Sequence, residues 1–225
     1  MTADPGPDLR HVEVWLFDLD NTLYPPETEF MGLIEKRMTA FVARETGLPP
    51  AEALALQKRY LHEHGTTLAG LMANHGIDPE GFLDEVHDVS MDALTPDAAL
   101  KAAITRLPGR RLVFTNGDER HAVRVLDKLD LADQFEAIFH IAAADYVPKP
   151  HPDTFQRLTR AHAVEPRAAA FFEDSEKNLA PAAAIGMTTI LVGPHAEAST
   201  APFVKHRTRH LAPFLAAARV RKAHP

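Results

Sequence analysis

Five short runs along the chain are mostly apolar: Val12 to Phe17, Arg111 to Phe114, Ala137 to Ala142, Ala168 to Phe172 and Thr188 to Val192. Runs of this length without polar alternation predict strands covered on both faces. The segments between them are patterned differently. Over Glu119–Leu129, residues Ala122, Val123, Val125, Leu126 and Leu129 fall largely along one helical face, and Asp153–Ala163 and Glu176–Ile185 repeat the pattern. Strands alternating with helices of this length predict an α/β fold, a parallel, doubly wound, Rossmann-like sheet.

The alternation has one large interruption. Between Asp20 and Thr115 lie 94 residues, far beyond the dozen or so that a crossover requires. Residues 28–45, 50–63, 66–75 and 79–88 carry helical patterns, punctuated by Pro49-Pro50, Gly65, and Gly76 through Pro79. Residues 25–95 therefore read as an inserted helical subdomain, and a helix over 96–107 returns the chain to the core. The core comprises residues 1–24 and 96–225. Residues 1–10, with Pro5, Gly6 and Pro7, read as a loose arm.

Composition narrows the class. The 225 residues are 45% hydrophobic and 24% charged, which excludes a disordered or fibrous chain. No run is long and apolar enough for a membrane span, and the opening MTADPGPDLR has no signal-like apolar stretch. Cysteine is absent, so thiol nucleophiles, disulfides and cysteine-ligated metal sites are excluded. A cytoplasmic protein is the expectation. The net charge of −7 opposes a general nucleic-acid role. The basic tail of Lys205, Arg207, Arg209, Arg219, Arg221 and Lys222 reads as a solvated surface.

The chemistry gathers at strand ends. The first strand runs into Asp18-Leu19-Asp20-Asn21-Thr22, the second into Thr115-Asn116-Gly117, and the fourth into Glu173-Asp174-Ser175; Lys149 follows the third after a short loop. In an open α/β sheet the ligand cleft lies outside the carboxyl ends of the strands. Four carboxylates there raise one another's pKa unless cations compensate. Lys149 supplies one charge; a hard divalent cation such as Mg²⁺ supplies two, with a phosphate completing its shell. Thr115 and the backbone N–H groups of Asn116-Gly117 form a cradle for phosphoryl oxygens. One aspartate of the first pair can attack phosphorus while the other moves protons.

At these residues the sequence resembles the haloacid dehalogenase-like (HAD) superfamily, with all four of its motifs in order. The resemblance implies Asp18 as nucleophile and metal ligand. It implies Asp20 as general acid/base, with its backbone carbonyl on the metal. It implies Asp174 as a direct ligand, Glu173 as a direct or water-mediated one, and Thr115, Asn116 and Lys149 as phosphoryl-binding residues. The 94-residue interval corresponds to that family's helical cap. Asp20 favours phosphoryl chemistry over the dehalogenase branch, which does not need this acid. Asp18 to Pro25, His64 to Leu71 and Val86-His87-Asp88 look like the pyrimidine 5′-nucleotidase subgroup. A small phosphorylated metabolite, a nucleoside 5′-monophosphate, is the implied substrate. A sugar-phosphate phosphatase or phosphomutase and a non-catalytic phosphometabolite-binding protein are the alternatives. Tyr24 and Phe30 read either as base-stacking rings or as packing between insertion and core.

Overall fold

In the computed structural model, which describes residues 6–221, the apolar runs become strands of one parallel sheet. β1 (Val14–Phe17) lies inside it. β2 (Arg110–Phe114) and β3 (Ala137–Phe139) flank one side, and β4 (Ala169–Glu173), β5 (Thr188–Val192) and β6 (His206–Thr208) the other. The order is β3-β2-β1-β4-β5-β6 and every adjacent pair is parallel. Side-chain alternation along β1 divides the core into two layers. Trp15 and Phe17 enter one with Val113, Phe172 and Ile190. Val14 and Leu16 enter the other with Leu112, Phe114 and Phe171. Phe17 and Phe172, paired across the β1–β4 register, stack 4.7 Å apart. The Trp15 indole N–H donates to the Pro108 carbonyl at 2.7 Å, so burial leaves no polar atom of this side chain unpaired.

Between β1 and β2 the chain forms α1 (Phe30–Thr46), α2 (Pro50–His64), α3 (Thr67–His75), α4 (Pro79–His87) and α5 (Ala98–Thr105). Beyond β2 come α6 (Glu119–Lys128), α7 (Pro152–Ala161), α8 (Glu176–Ala184) and α9 (Leu211–Ala217). Local chemistry sets their ends. Pro50, Pro79 and Pro152 open α2, α4 and α7, where the missing N–H costs nothing. The Thr66, Asp78, Asp97 and Asp118 side chains accept first-turn N–H groups of α3, α4, α5 and α6. Gly47 and Gly76 close α1 and α3 at positive φ.

Several elements depart from the sequence expectation. Residues 6–10 are not loose: Leu9 is buried, its N–H bonds to Arg219, and Arg219 bonds back to Pro7. Residues 1–5 and Lys222 lie outside the described residues. The third run forms a strand only to Phe139, and Ala142–Ala144 turn as a 3₁₀ helix. β6 and α9 follow the five expected strands; β6 is polar and half-buried, so it lacks an apolar run. Val123 on α6 is 42% exposed, and His121 takes the buried place instead. In the tail, Arg207 spends its guanidinium on three backbone carbonyls, and Arg219 and Arg221 pair with Asp8 and Glu13. No described helix is long and apolar enough to cross a membrane.

Gly70 on α3 marks the closest approach within the inserted helices. A Cβ there would sit 2.3 Å from the Tyr60 ring of α2. Tyr60 is buried, so the ring cannot swing into solvent. Gly70→Ala is therefore expected to destabilise the fold by about 1–3 kcal/mol despite alanine's better helix propensity. Urea unfolding followed by circular dichroism measures this; a stabilised variant would contradict the packing described.

Candidate active site

The carboxyl ends of β1, β2 and β4 open into a cleft of about 300 Å³. Asp18 still follows the sheet, its N–H donating to the Phe172 carbonyl at 2.9 Å. Asn21 then takes φ +63°, a conformation asparagine tolerates, and the chain turns away from the sheet. β2 delivers Thr115 and Asn116, β4 delivers Glu173 and Asp174, and the loop before α7 delivers Lys149. All six, with Asp20, line this cleft. The opposite wall comes from the inserted helices: Met31, Met38, Gln57, Thr67, Phe82 and Leu83.

Lys149 is 1% exposed, and its ammonium is fully engaged. It donates to Asp18 Oδ1 at 2.7 Å, to Glu173 Oε2 at 2.9 Å and to the Phe114 carbonyl at 2.7 Å. Asn116 braces the lysine from behind. Its side-chain amide donates to the Lys149 carbonyl at 3.2 Å and accepts the Lys149 N–H at 2.9 Å. What Asn116 offers a ligand is thus its main chain, since its side chain is committed. The Gly117 N–H is committed too, donating to Thr115 Oγ1 at 2.9 Å. The expected cradle is accordingly smaller than the sequence implied.

Asp18, Glu173 and Asp174 each bring a carboxylate oxygen within 4.8 Å of the others. Burial pushes the Asp18 carboxyl up to about 7, with Glu173 adding to it and Lys149 opposing. Burial likewise raises Asp174 to about 9, helped by Glu173 and Asp18. Three carboxylates face one ammonium, so two negative charges stand uncompensated when all are ionised. An all-oxygen donor set with that deficit fits a hard divalent cation. The side chain of Asp20 is not part of this cluster.

Asp20 has partners of its own. Its Oδ1 accepts the Tyr24 hydroxyl at 2.6 Å and His121 Nε2–H at 2.9 Å. Burial alone would raise this carboxyl; the His121 charge and hydrogen bond, with Tyr24, outweigh it and bring Asp20 to about 2. The reciprocal effect raises His121 against its own burial. Tyr24 and Phe30 are both buried and meet edge to face, so neither ring is open to a base. His87 is buried and donates from Nδ1 to Asp118 Oδ2, while its neighbour Asp88 is exposed. Sequence reasoning passed over His121. Its signal was its place on the apolar face of α6, at the period of Ala122, Val125 and Leu126.

The geometry has relatives. The family model described as haloacid dehalogenase-like hydrolase matches residues 12–186. The fold is similar to a 2-haloacid dehalogenase from Pseudomonas syringae pv. Tomato DC3000, with TM-score 0.57 and 21% identity, covering 92% of this chain and 98% of that one. It is also similar to a HAD family hydrolase from Deinococcus radiodurans R1 with bound phosphate and sodium, with TM-score 0.54 and 21% identity, covering 91% and 93%. Phosphate metabolism protein 8 of Saccharomyces cerevisiae is 29% identical over 204 residues, which cover 83% of this chain. The chain spans 63% of that relative's length. The two solved structures establish likeness of fold alone. The family match extends from the start of β1 past β4 and takes in every motif residue of the cleft. The chain belongs to the haloacid dehalogenase-like hydrolases.

Proposed function

We propose that the chain is a cytoplasmic, Mg²⁺-dependent phosphomonoesterase working through an aspartyl-phosphate on Asp18, with a small nucleoside 5′-monophosphate as substrate. The observation that carries this reading is the contrast between two carboxylates two residues apart. Asp18 lies against Lys149 and the Glu173–Asp174 pair, whereas Asp20 lies outside that cluster on two hydrogen-bond donors. Divergent environments of this kind divide roles between paired acids.

Asp18, Glu173 and Asp174 would hold Mg²⁺, which when bound offsets negative charge on the phosphoryl group. An Asp18 carboxylate oxygen attacks phosphorus as the bond to the ester oxygen breaks. Asp20 gives that oxygen a proton, and the alcohol leaves. A water then bonds to phosphorus, Asp20 takes its proton, and the bond to Asp18 breaks. Thr115 offers its hydroxyl to phosphoryl oxygens, and Asn116 its main-chain N–H. Lys149 holds Asp18 Oδ1 and contributes its charge. Residues 25–95 would act as the cap that excludes bulk water during the first step. The apolar wall of Met31, Met38, Phe82 and Leu83 beside Gln57 suits a flat ring with polar edges, which supports a nucleotide over a sugar phosphate.

Phosphate release from UMP, CMP, AMP, sugar phosphates, pyridoxal phosphate and p-nitrophenyl phosphate tests the reading. Turnover is expected to need Mg²⁺, to vanish with EDTA, to fall by at least about a thousandfold in Asp18→Asn, and to be highest on UMP or CMP. Metal-dependent release led by another ester would overturn the nucleotidase assignment alone. No release from any ester would overturn the phosphatase reading.

Cation binding has its own readout. Mg²⁺ at a hundredfold its Kd should stabilise the wild-type chain by about 2.7 kcal/mol, raising Tm by about 5–10 °C. Asp174→Asn should lose most of that shift. An equal shift in both proteins would place the cation elsewhere.

A further inference from the structure

We propose that His121 and Tyr24 are positioning residues for Asp20: both donate to its Oδ1 and thereby commit its Oδ2 to the proton transfer. The inference rests on the reading of Asp20 as acid and base, and it extends that reading to two residues outside the four superfamily motifs.

Oδ1 accepts two hydrogen bonds, from Tyr24 Oη at 2.6 Å and from His121 Nε2 at 2.9 Å. An oxygen accepting both cannot also carry the acidic proton without losing one of them. A proton taken up by this carboxyl therefore belongs on Oδ2. That atom faces the turn at Gly117, which lines the cleft: a Cβ built on Gly117 would lie 3.8 Å from Asp20 Oδ2 and 3.3 Å from Thr115 Oγ1. The carboxyl is thus pinned on its protein side and open on its ligand side.

His121 is fixed in turn. Its main-chain N–H donates to Asp118 Oδ1 at 2.7 Å, and the other Asp118 oxygen accepts His87 Nδ1 at 2.5 Å. The His87 ring stacks on His121 with centroids 4.1 Å apart, and the Phe30 ring lies parallel to it at 6.1 Å. Among the described residues His121 Nδ1 is buried without a partner, and the one side-chain hydrogen bond of this imidazole goes to Asp20. Phe30 opens α1 and His87 closes α4, so two inserted helices help set the aim of the acid.

In the first step the proton moves from Asp20 Oδ2 to the ester oxygen as its bond to phosphorus breaks. In the second, Oδ2 takes a proton from the water whose oxygen bonds to phosphorus. An alkoxide leaving group needs that proton; p-nitrophenolate leaves without it. The test is kcat/KM with Mg²⁺ on the fastest aliphatic ester of the panel and on p-nitrophenyl phosphate. Tyr24→Phe and His121→Ala are expected to lower the aliphatic value by about 10–100-fold and the p-nitrophenyl value by less than about threefold. His121→Gln, which returns an N–H near the Nε2 position, should recover most of the loss. Equal losses on both substrates, or no loss in Tyr24→Phe, would overturn the proposal. Tyr24→Phe removes one hydroxyl and keeps the ring, so it gives an answer even if His121→Ala fails to fold. Asp20→Asn separates the two levels. If it discriminates between leaving groups and the other variants do not, the positioning role fails alone. If it does not discriminate, the reading of Asp20 fails and takes the proposal with it.

Discussion

The arrangement of the cleft depends on one buried ammonium. Lys149 ties the ends of β1, β2 and β4 together through Asp18, the Phe114 carbonyl and Glu173. The Phe114 and Phe171 rings lie 4.8 and 5.3 Å from its Nζ and add cation–π attraction. Stranding one partner of a buried ion pair costs about 3–5 kcal/mol, so each group holds the others in place. The lysine has no strand of its own to stand on. It reaches the site from a loop, and that loop is clipped to the second strand's end by both polar atoms of the Asn116 amide.

The same compactness explains why two aspartates in one short turn are chemically distinct. Asp18 shares a crowded anionic corner with Glu173 and Asp174, opposed by the Lys149 ammonium. Asp20 lies against His121 of α6 and Tyr24 of the turn after β1, and both donate to it. Sequence proximity gives the pair a common backbone; Lys149 and His121, each a hundred residues or more away, give it opposed surroundings. A family with one sheet and many activities works by this kind of local differentiation.

Much of this was legible in the residues. The five apolar runs located β1 to β5, because a strand covered on both faces has little room for polar side chains. Proline and glycine marked the ends of α1 to α4. The motif residues converged because the sheet is parallel and their strands all end on the same side. The parts that were missed have physical reasons. β6 is an edge strand, and one half-buried face asks for no apolar run. Buried Leu9 is tied to the Arg219 carbonyl, a contact no local window contains. Gly117 looked like a free donor because its partner, the Thr115 hydroxyl, follows only from the folded turn. Tyr24 read either as a stacking ring or as packing, and the bond of its hydroxyl to Asp20, four residues back around a turn, follows only from the fold.

Both margins of the sheet are short. β3 and β6 are three residues each, and they stand at the two ends of the strand order. The second of them carries His206 and Arg207 and is capped by guanidinium bonds to its own approach loop. An exposed strand edge is a template on which another chain can pair, and length and apolarity make it adhesive. This sheet keeps its longer apolar strands in the interior and offers neighbours only brief margins, the second of them polar. The molecule thereby concentrates its hydrophobic mass without presenting a seam for runaway association.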